Sequence, residues 1–153
     1  MHKTGLCLVA LLCAGPAALA QVPARLPGQW AVHQIGFLAD ATVPSELLEH
    51  LNDPQVADLN LAIERSEAKL VVEFRADGTY QFSVVRAGQP TRTEAGRYTL
   101  ANGLLTASSP APGGSSFHNQ HLAKLTRRLL VLTFPAGDNM PGVVEEVTYY
   151  RLK

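Results

Sequence analysis

From Lys69 onward, apolar and polar residues alternate with a period of two, the pattern of strands that bury one face. Leu70, Val72 and Phe74 fall on one side, with Glu73 and Arg75 on the other. After Asp77-Gly78, a pair suited to the positive φ of a tight hairpin, the phase resumes with Tyr80, Phe82 and Val84 against Gln81 and Ser83. Residues 87–90 form a looser turn, 94–100 the next strand, and Asn102-Gly103 a second tight turn into a strand over 104–108. Residues 109–114, alternating serine, proline, alanine and glycine, are an exposed loop. Strands are expected over 117–126, 129–134 and 143–152, with 135–142 joining the last two. A first strand over 29–36 completes the set of eight, entered from Pro23 and Pro27, whose fixed φ suits an extended lead-in.

One segment departs from this period. Residues 42–67 are helical in character: Leu47, Leu48 and Leu51 follow Pro44-Ser45, then Asn52-Asp53-Pro54 ends one helix and starts another. Aspartate is a favoured N-cap and proline a favoured first helical residue. Val56, Leu59 and Ile63 then recur at helical spacing. Two short helices placed between strands one and two either finish the core at one end or form a lid over a cavity.

Eight strands joined in sequence by short turns predict a closed, up-and-down antiparallel β-barrel, mainly all-β with a two-helix insert. Closure leaves no unpaired edge. A two-sheet sandwich is the alternative. Trp30 in the first strand and Arg151 in the last are placed to stack only if the chain ends meet, as closure would make them do.

The chain begins with a charged head, Met1-His2-Lys3, an apolar run over 6–12 and a small-x-small site at Ala18-Leu19-Ala20. These are the parts of a cleaved signal peptide over residues 1–20, and export to the periplasm or exterior is expected. Its apolar run is too short to span a bilayer, so no integral membrane span is expected. Lipid attachment at Cys13 is disfavoured because Leu12 is a poor residue to precede such a site. Removing twenty residues from 153 leaves a single domain of 133, large enough to carry its own core. Cys7 and Cys13 leave with the signal, so the mature domain has no thiol for a disulfide, a metal or a nucleophile. Loss of Lys3 leaves 12 basic against 13 acidic residues, a net charge of −1 with no basic cluster. Nucleic acid is not an expected partner.

Catalytic and metal-binding constellations are not found. His118 and His121 lie three apart, hence on opposite faces of a strand, and His33 and His50 are isolated. Glu145 and Glu146, being adjacent, likewise diverge. Ser108-Ser109 and Ser115-Ser116 flank a loop without a nucleophile elbow, and Gly113-Gly114 lacks the setting of a phosphate loop. No cofactor, metal or enzymatic activity is expected. The aromatic residues carry more: Tyr80, Phe82, Tyr98, Phe117 and one of Tyr149 or Tyr150 are in phase with strand interiors, where they fill the lumen or line it. Buried tyrosines need partners, for which Gln81, Asn119, Gln120 and His121 are candidates.

Gly28-Gln29-Trp30, the two hairpin turns, the run 122–125 before Leu130-Val131-Leu132, and Tyr150-Arg151 together resemble lipocalin-like proteins of the calycin group. The resemblance spans residues 27–153. It implies that Trp30 packs under Arg151, with Gly28 beside them, as a structural clasp rather than a ligand site. It also implies an exported, monomeric, non-catalytic barrel that binds a small apolar or amphipathic ligand. In that reading Tyr80, Phe82, Tyr98, Phe117 and His121 line the lumen, and Leu47, Leu51 and Leu59 close it. A filled barrel acting as an interaction or structural module of the cell envelope is the competing expectation.

Overall fold

The computed structural model describes residues 22–49 and 51–153; the expected signal peptide over 1–20, both cysteines and His50 lie outside the described residues. Eight strands form a closed antiparallel barrel in sequence order. They are β1 (Gly28–Ala39), β2 (Ala68–Phe74), β3 (Thr79–Arg86), β4 (Arg92–Ala101), β5 (Leu104–Ser108), β6 (Gln120–Leu125), β7 (Leu129–Pro135) and β8 (Val143–Arg151). Two helices, α1 (Ser45–Glu49) and α2 (Pro54–Glu64), lie between β1 and β2. The sandwich alternative is thereby excluded.

The turns follow their residues. Asn102 and Gly103 both have positive φ, as a two-residue hairpin of this hand requires. At the other tight turn only Gly78 has positive φ, and the Asp77 carboxylate accepts hydrogen bonds from the backbone and hydroxyl of Thr79 at 2.9 and 2.6 Å. β1 runs three residues beyond its expected end. A bulge between Val32 and Gln34 puts His33 outside, against the ring of Tyr150.

The barrel has two different ends. At one end, the lead-in from Val22 folds across the opening and buries Leu26. The Trp30 indole donates to the Leu26 carbonyl at 2.9 Å. Above the indole sits the Arg151 guanidinium, 4.1 Å from the ring centre. It donates to the carbonyls of Pro27 and Arg127, each at 2.9 Å, and to that of Arg25. Gly28 has φ +139°, and a Cβ there would lie 2.1 Å from a guanidinium nitrogen, so the close approach requires glycine. One cation thus ties the first strand, the lead-in and the β6–β7 turn to the last strand.

At the other end the closure is looser. β1 pairs with β2 only over Gly28–Ala31, while its remainder pairs with β8 alone. α2 occupies the gap. It is capped by Asp53, whose carboxylate accepts from the Gln55 N–H at 2.8 Å. The side-chain amide of Asn60 accepts from the Ile35 N–H at 2.9 Å and donates to its carbonyl at 2.7 Å, substituting for a missing strand neighbour. Val56, Leu59 and Ile63 pack against the core, as their spacing predicts. α2 is therefore pinned to β1.

Between the ends the interior is packed with side chains. Trp30, Phe74, Tyr80, Phe117, Leu105, Leu130, Leu132 and Val72 are all less than 2% exposed. Phe117 reaches this core from the β5–β6 loop, not from a strand as expected, because β6 begins only at Gln120. Asn119, at φ +57°, turns the chain just before it. Of the terminal tyrosines, Tyr149 faces in and Tyr150 faces out.

Candidate functional site

The inward phase of β3 and β4, followed toward the helical end, changes from aromatic to charged. On β3 the series runs Tyr80, Phe82, Val84, Arg86; on β4, paired with it, it runs Tyr98, Gly96, Glu94, Arg92. The outer members of the two series, Phe82, Val84, Arg86, Glu94 and Arg92, with Ala68 and Leu70 of β2, Leu59 of α2 and the β5–β6 loop, enclose a cleft of about 710 Å³ that is open to solvent. That volume lies within the range of small-molecule sites. Leu59, Leu70, Phe82 and Val84 form an apolar wall; Arg86, Gln89 and Arg92 stand at the rim.

The cleft's floor is a hydrogen-bonded cluster around Glu94. Its carboxylate accepts from the Ser116 N–H at 3.0 Å, from the Ser116 hydroxyl at 2.6 Å, from the Ser115 hydroxyl at 3.3 Å and from the Tyr80 phenol. The Tyr80 phenol also meets the Ser115 hydroxyl, and Ser115 Oγ accepts from the Phe117 N–H at 3.1 Å. Gly96 makes the cluster possible, since a Cβ there would lie 2.1 Å from the Ser108 carbonyl and 2.8 Å from the Tyr80 ring. The effect is to clamp the β5–β6 loop onto β4 and hold Phe117 in the core. Phe117 makes edge contacts with Phe74, Tyr80 and Phe82 at centroid distances of 5.6, 5.4 and 5.2 Å.

The electrostatics agree with this geometry. Burial acts to raise the Glu94 carboxyl, but the bonds from Ser116, Tyr80 and Ser115 outweigh it and hold the group below the usual carboxylate range. Burial, then the hydrogen bond to Glu94, pushes the Tyr80 phenol up to about 12. Tyr98, whose phenol donates to the Arg75 carbonyl at 2.7 Å, is pushed up to about 12 by burial and then by the Asp77 charge. Tyr149 is raised further by burial and, secondarily, by Glu145. Glu145 shares the inward phase of β8 at the helical end, and burial, with Asp53 adding to it, raises its carboxyl.

A group held below its unfolded value stabilises the fold above that value and loses this contribution as pH falls through the folded value. Glu94→Gln is therefore expected to cost about 1 kcal/mol near pH 7, from weaker and fewer hydrogen bonds at a partly exposed site. The gap from wild type should narrow below about pH 4 as the native carboxylate protonates. Urea unfolding at a series of pH values reads this directly, and a gap independent of pH would remove the carboxylate from the clamp.

The sequence-derived candidates divide on this frame. Phe82 and Leu59 line the cleft. Tyr80, Tyr98 and Phe117 are brought together, but as packed core beneath it. Leu51 borders a separate shallow groove with Phe37 and Leu48, and Leu47 is half-buried; neither lines the cleft. His121 is exposed and does not enter the lumen: it neighbours Gln120, which takes the inward position, and alternation turns His121 out. Gln81 is also exposed, so the tyrosine partners are Glu94, Ser115 and the Arg75 carbonyl instead. Gln120 donates to the Ser116 carbonyl at 2.6 Å, and its Oε1 has no partner among the described residues. His118 contacts the Ala107 carbonyl at 2.9 Å. Among the described residues no group of three or more histidine, cysteine or acidic side chains is placed to hold a metal ion.

Arg86, Arg92 and Glu94 were not singled out from sequence, and Ser115 and Ser116 were read only as flanking a loop without a nucleophile elbow. Extending the phase of Tyr80-Phe82-Val84 by two residues reaches Arg86, and stepping back from Tyr98 reaches Glu94 and Arg92. The serines carried no such signal, since a loop's path has no period. A second hollow, of about 730 Å³, lies by the β2–β3 turn between Arg97, Thr99, Thr106 and His118, but it lies against the outer face of the barrel.

The fold and cleft define a closed eight-stranded up-and-down barrel, sealed at one end and indented at the other. Comparison with protein-family models, with curated proteins and with solved structures finds no match to this chain.

Proposed function

We propose that this is an exported, lipocalin-like barrel that binds or carries a small apolar or amphipathic molecule without chemical turnover. The observation that carries the reading is the cleft of about 710 Å³, with Leu59, Leu70, Phe82 and Val84 on one wall and polar groups on the other. Such a mixture, an apolar wall facing polar groups in about equal measure, suits an amphipathic ligand that must be both held and oriented. The ligand lies in the mouth rather than the depth of the barrel, since the aromatic core fills the interior. α2, pinned through Asn60, serves this site as a wall rather than as a swinging cover.

Native mass spectrometry of freshly purified mature protein tests the proposal. The expected spectrum contains a small-molecule adduct that disappears on gentle activation. Phe82→Ser should reduce its occupancy. A bare polypeptide mass from several expression hosts would count against ligand carriage and favour the filled-barrel interaction module.

A further inference from the structure

The charges lining the cleft are unequally engaged. Its single acid, Glu94, is engaged by donors from Tyr80, Ser115 and Ser116. Its two cations, Arg86 and Arg92, are exposed and form no ion pair among the described residues, where the one salt bridge joins Arg75 to Glu73. The β3–β4 turn brings them to one place: Arg92 pairs across from Val84, and Arg86 lies one inward step beyond it. Both follow directly on the apolar wall. Two uncommitted guanidiniums beside Phe82 and Val84 present fork-shaped donors suited to a carboxylate, sulfonate or phosphate group.

We propose that the cleft selects an amphiphile with an anionic head, held at the rim by Arg86 and Arg92 while its apolar body lies on Leu59, Leu70, Phe82 and Val84. This rests on the binding function proposed above and adds the sign of the ligand's charge and the residues that read it. The engaged state of Glu94 is part of the selection. A carboxylate whose acceptor sites are taken up by these donors forms no ion pair with either arginine and is a poor seat for a cationic head.

The test uses two fluorescent probes that differ only by a sulfonate: 1-anilinonaphthalene-8-sulfonate and the neutral 1-anilinonaphthalene. Each is titrated into the mature protein, into Arg86→Gln/Arg92→Gln and into Phe82→Ser, with melting curves confirming that each variant is folded. The sulfonate should bind about tenfold more tightly than its neutral counterpart, the sum expected for two partly exposed charge contacts. The double arginine variant should erase that advantage while changing the neutral probe less than about twofold. Phe82→Ser should weaken both probes. Added salt should weaken only the sulfonate. Equal binding of both probes, unchanged in the arginine variant, would overturn the charge assignment and leave small-molecule binding standing. Binding of neither would overturn both. Arginine-dependent sedimentation with anionic phospholipid vesicles, without discrimination between the probes, would reassign the two cations to a membrane surface and overturn the proposal.

Discussion

Phe117→Ala is expected to lower stability by about 3–4 kcal/mol, the cost of an unfilled aromatic site in a close-packed core. Phe117 is 1% exposed and contacts three other rings, so its removal leaves Phe74, Tyr80 and Phe82 facing a void. The loss should be larger than loop residues usually show, since few loops supply the centre of a core. Phe117→Leu, which retains most of the volume, should recover over half of it. Urea unfolding with an unchanged m-value gives the measurement. A loss below about 1 kcal/mol would mean that the ring does not occupy the barrel's centre. The same variant should extend the cleft inward, and so tighten binding of the neutral naphthalene probe. This links packing to function: Phe117 decides how much of the barrel's volume is core and how much is available to a ligand.

Arg151→Ala is expected to cost about 2–3 kcal/mol, seen as a fall in Tm of roughly 10 °C. Its guanidinium lies over Trp30 and donates to three carbonyls, two in the lead-in and one in the β6–β7 turn. Stacking supplies about 0.5–2 kcal/mol and the hydrogen bonds most of the remainder. Arg151→Lys should restore less than half, because an ammonium has neither the planar fork nor the stacking face. Gly28→Ala attacks the clasp from the other side, by placing a Cβ 2.1 Å from the guanidinium and by straining a φ of +139°. The two substitutions together should cost less than their sum, since the clash vanishes with the arginine. Full additivity, measured as a double-mutant cycle, would show that Gly28 acts through backbone strain alone.

Both expectations bear on what alternation along a chain can encode. The barrel was legible because each strand carries its own evidence: the phase of Leu70-Val72-Phe74 and of Tyr80-Phe82-Val84, and the turn chemistry of Asp77-Gly78 and Asn102-Gly103. The clasp was legible too, since Trp30 and Arg151 stand at the ends that closure must join. The candidate site was less so. Of its residues, Phe82 and Leu59 were found from their phase. Arg86, Arg92 and Glu94 share that phase but were not singled out, because alternation alone does not mark where a wall passes from core to mouth. His121 was assigned to the interior because β6 was expected to start at Phe117, and a strand beginning later, at Gln120, reverses the faces.

What the sequence determined by itself was therefore local: strand existence, turn positions, helix caps and the identity of the clasp. Each depends on residues within a few positions, or on two chain ends that topology brings together. The tertiary structure alone decided three things. A loop phenylalanine fills the barrel, Glu94 is engaged in holding that loop, and two arginines beside an apolar wall form no ion pair among the described residues. The physical reason is the same for all three. The path of the β5–β6 loop is set by partners about twenty residues or more away, Glu94 for the serines and Phe74, Tyr80 and Phe82 for the ring. Those partners become neighbours only once the sheet has closed.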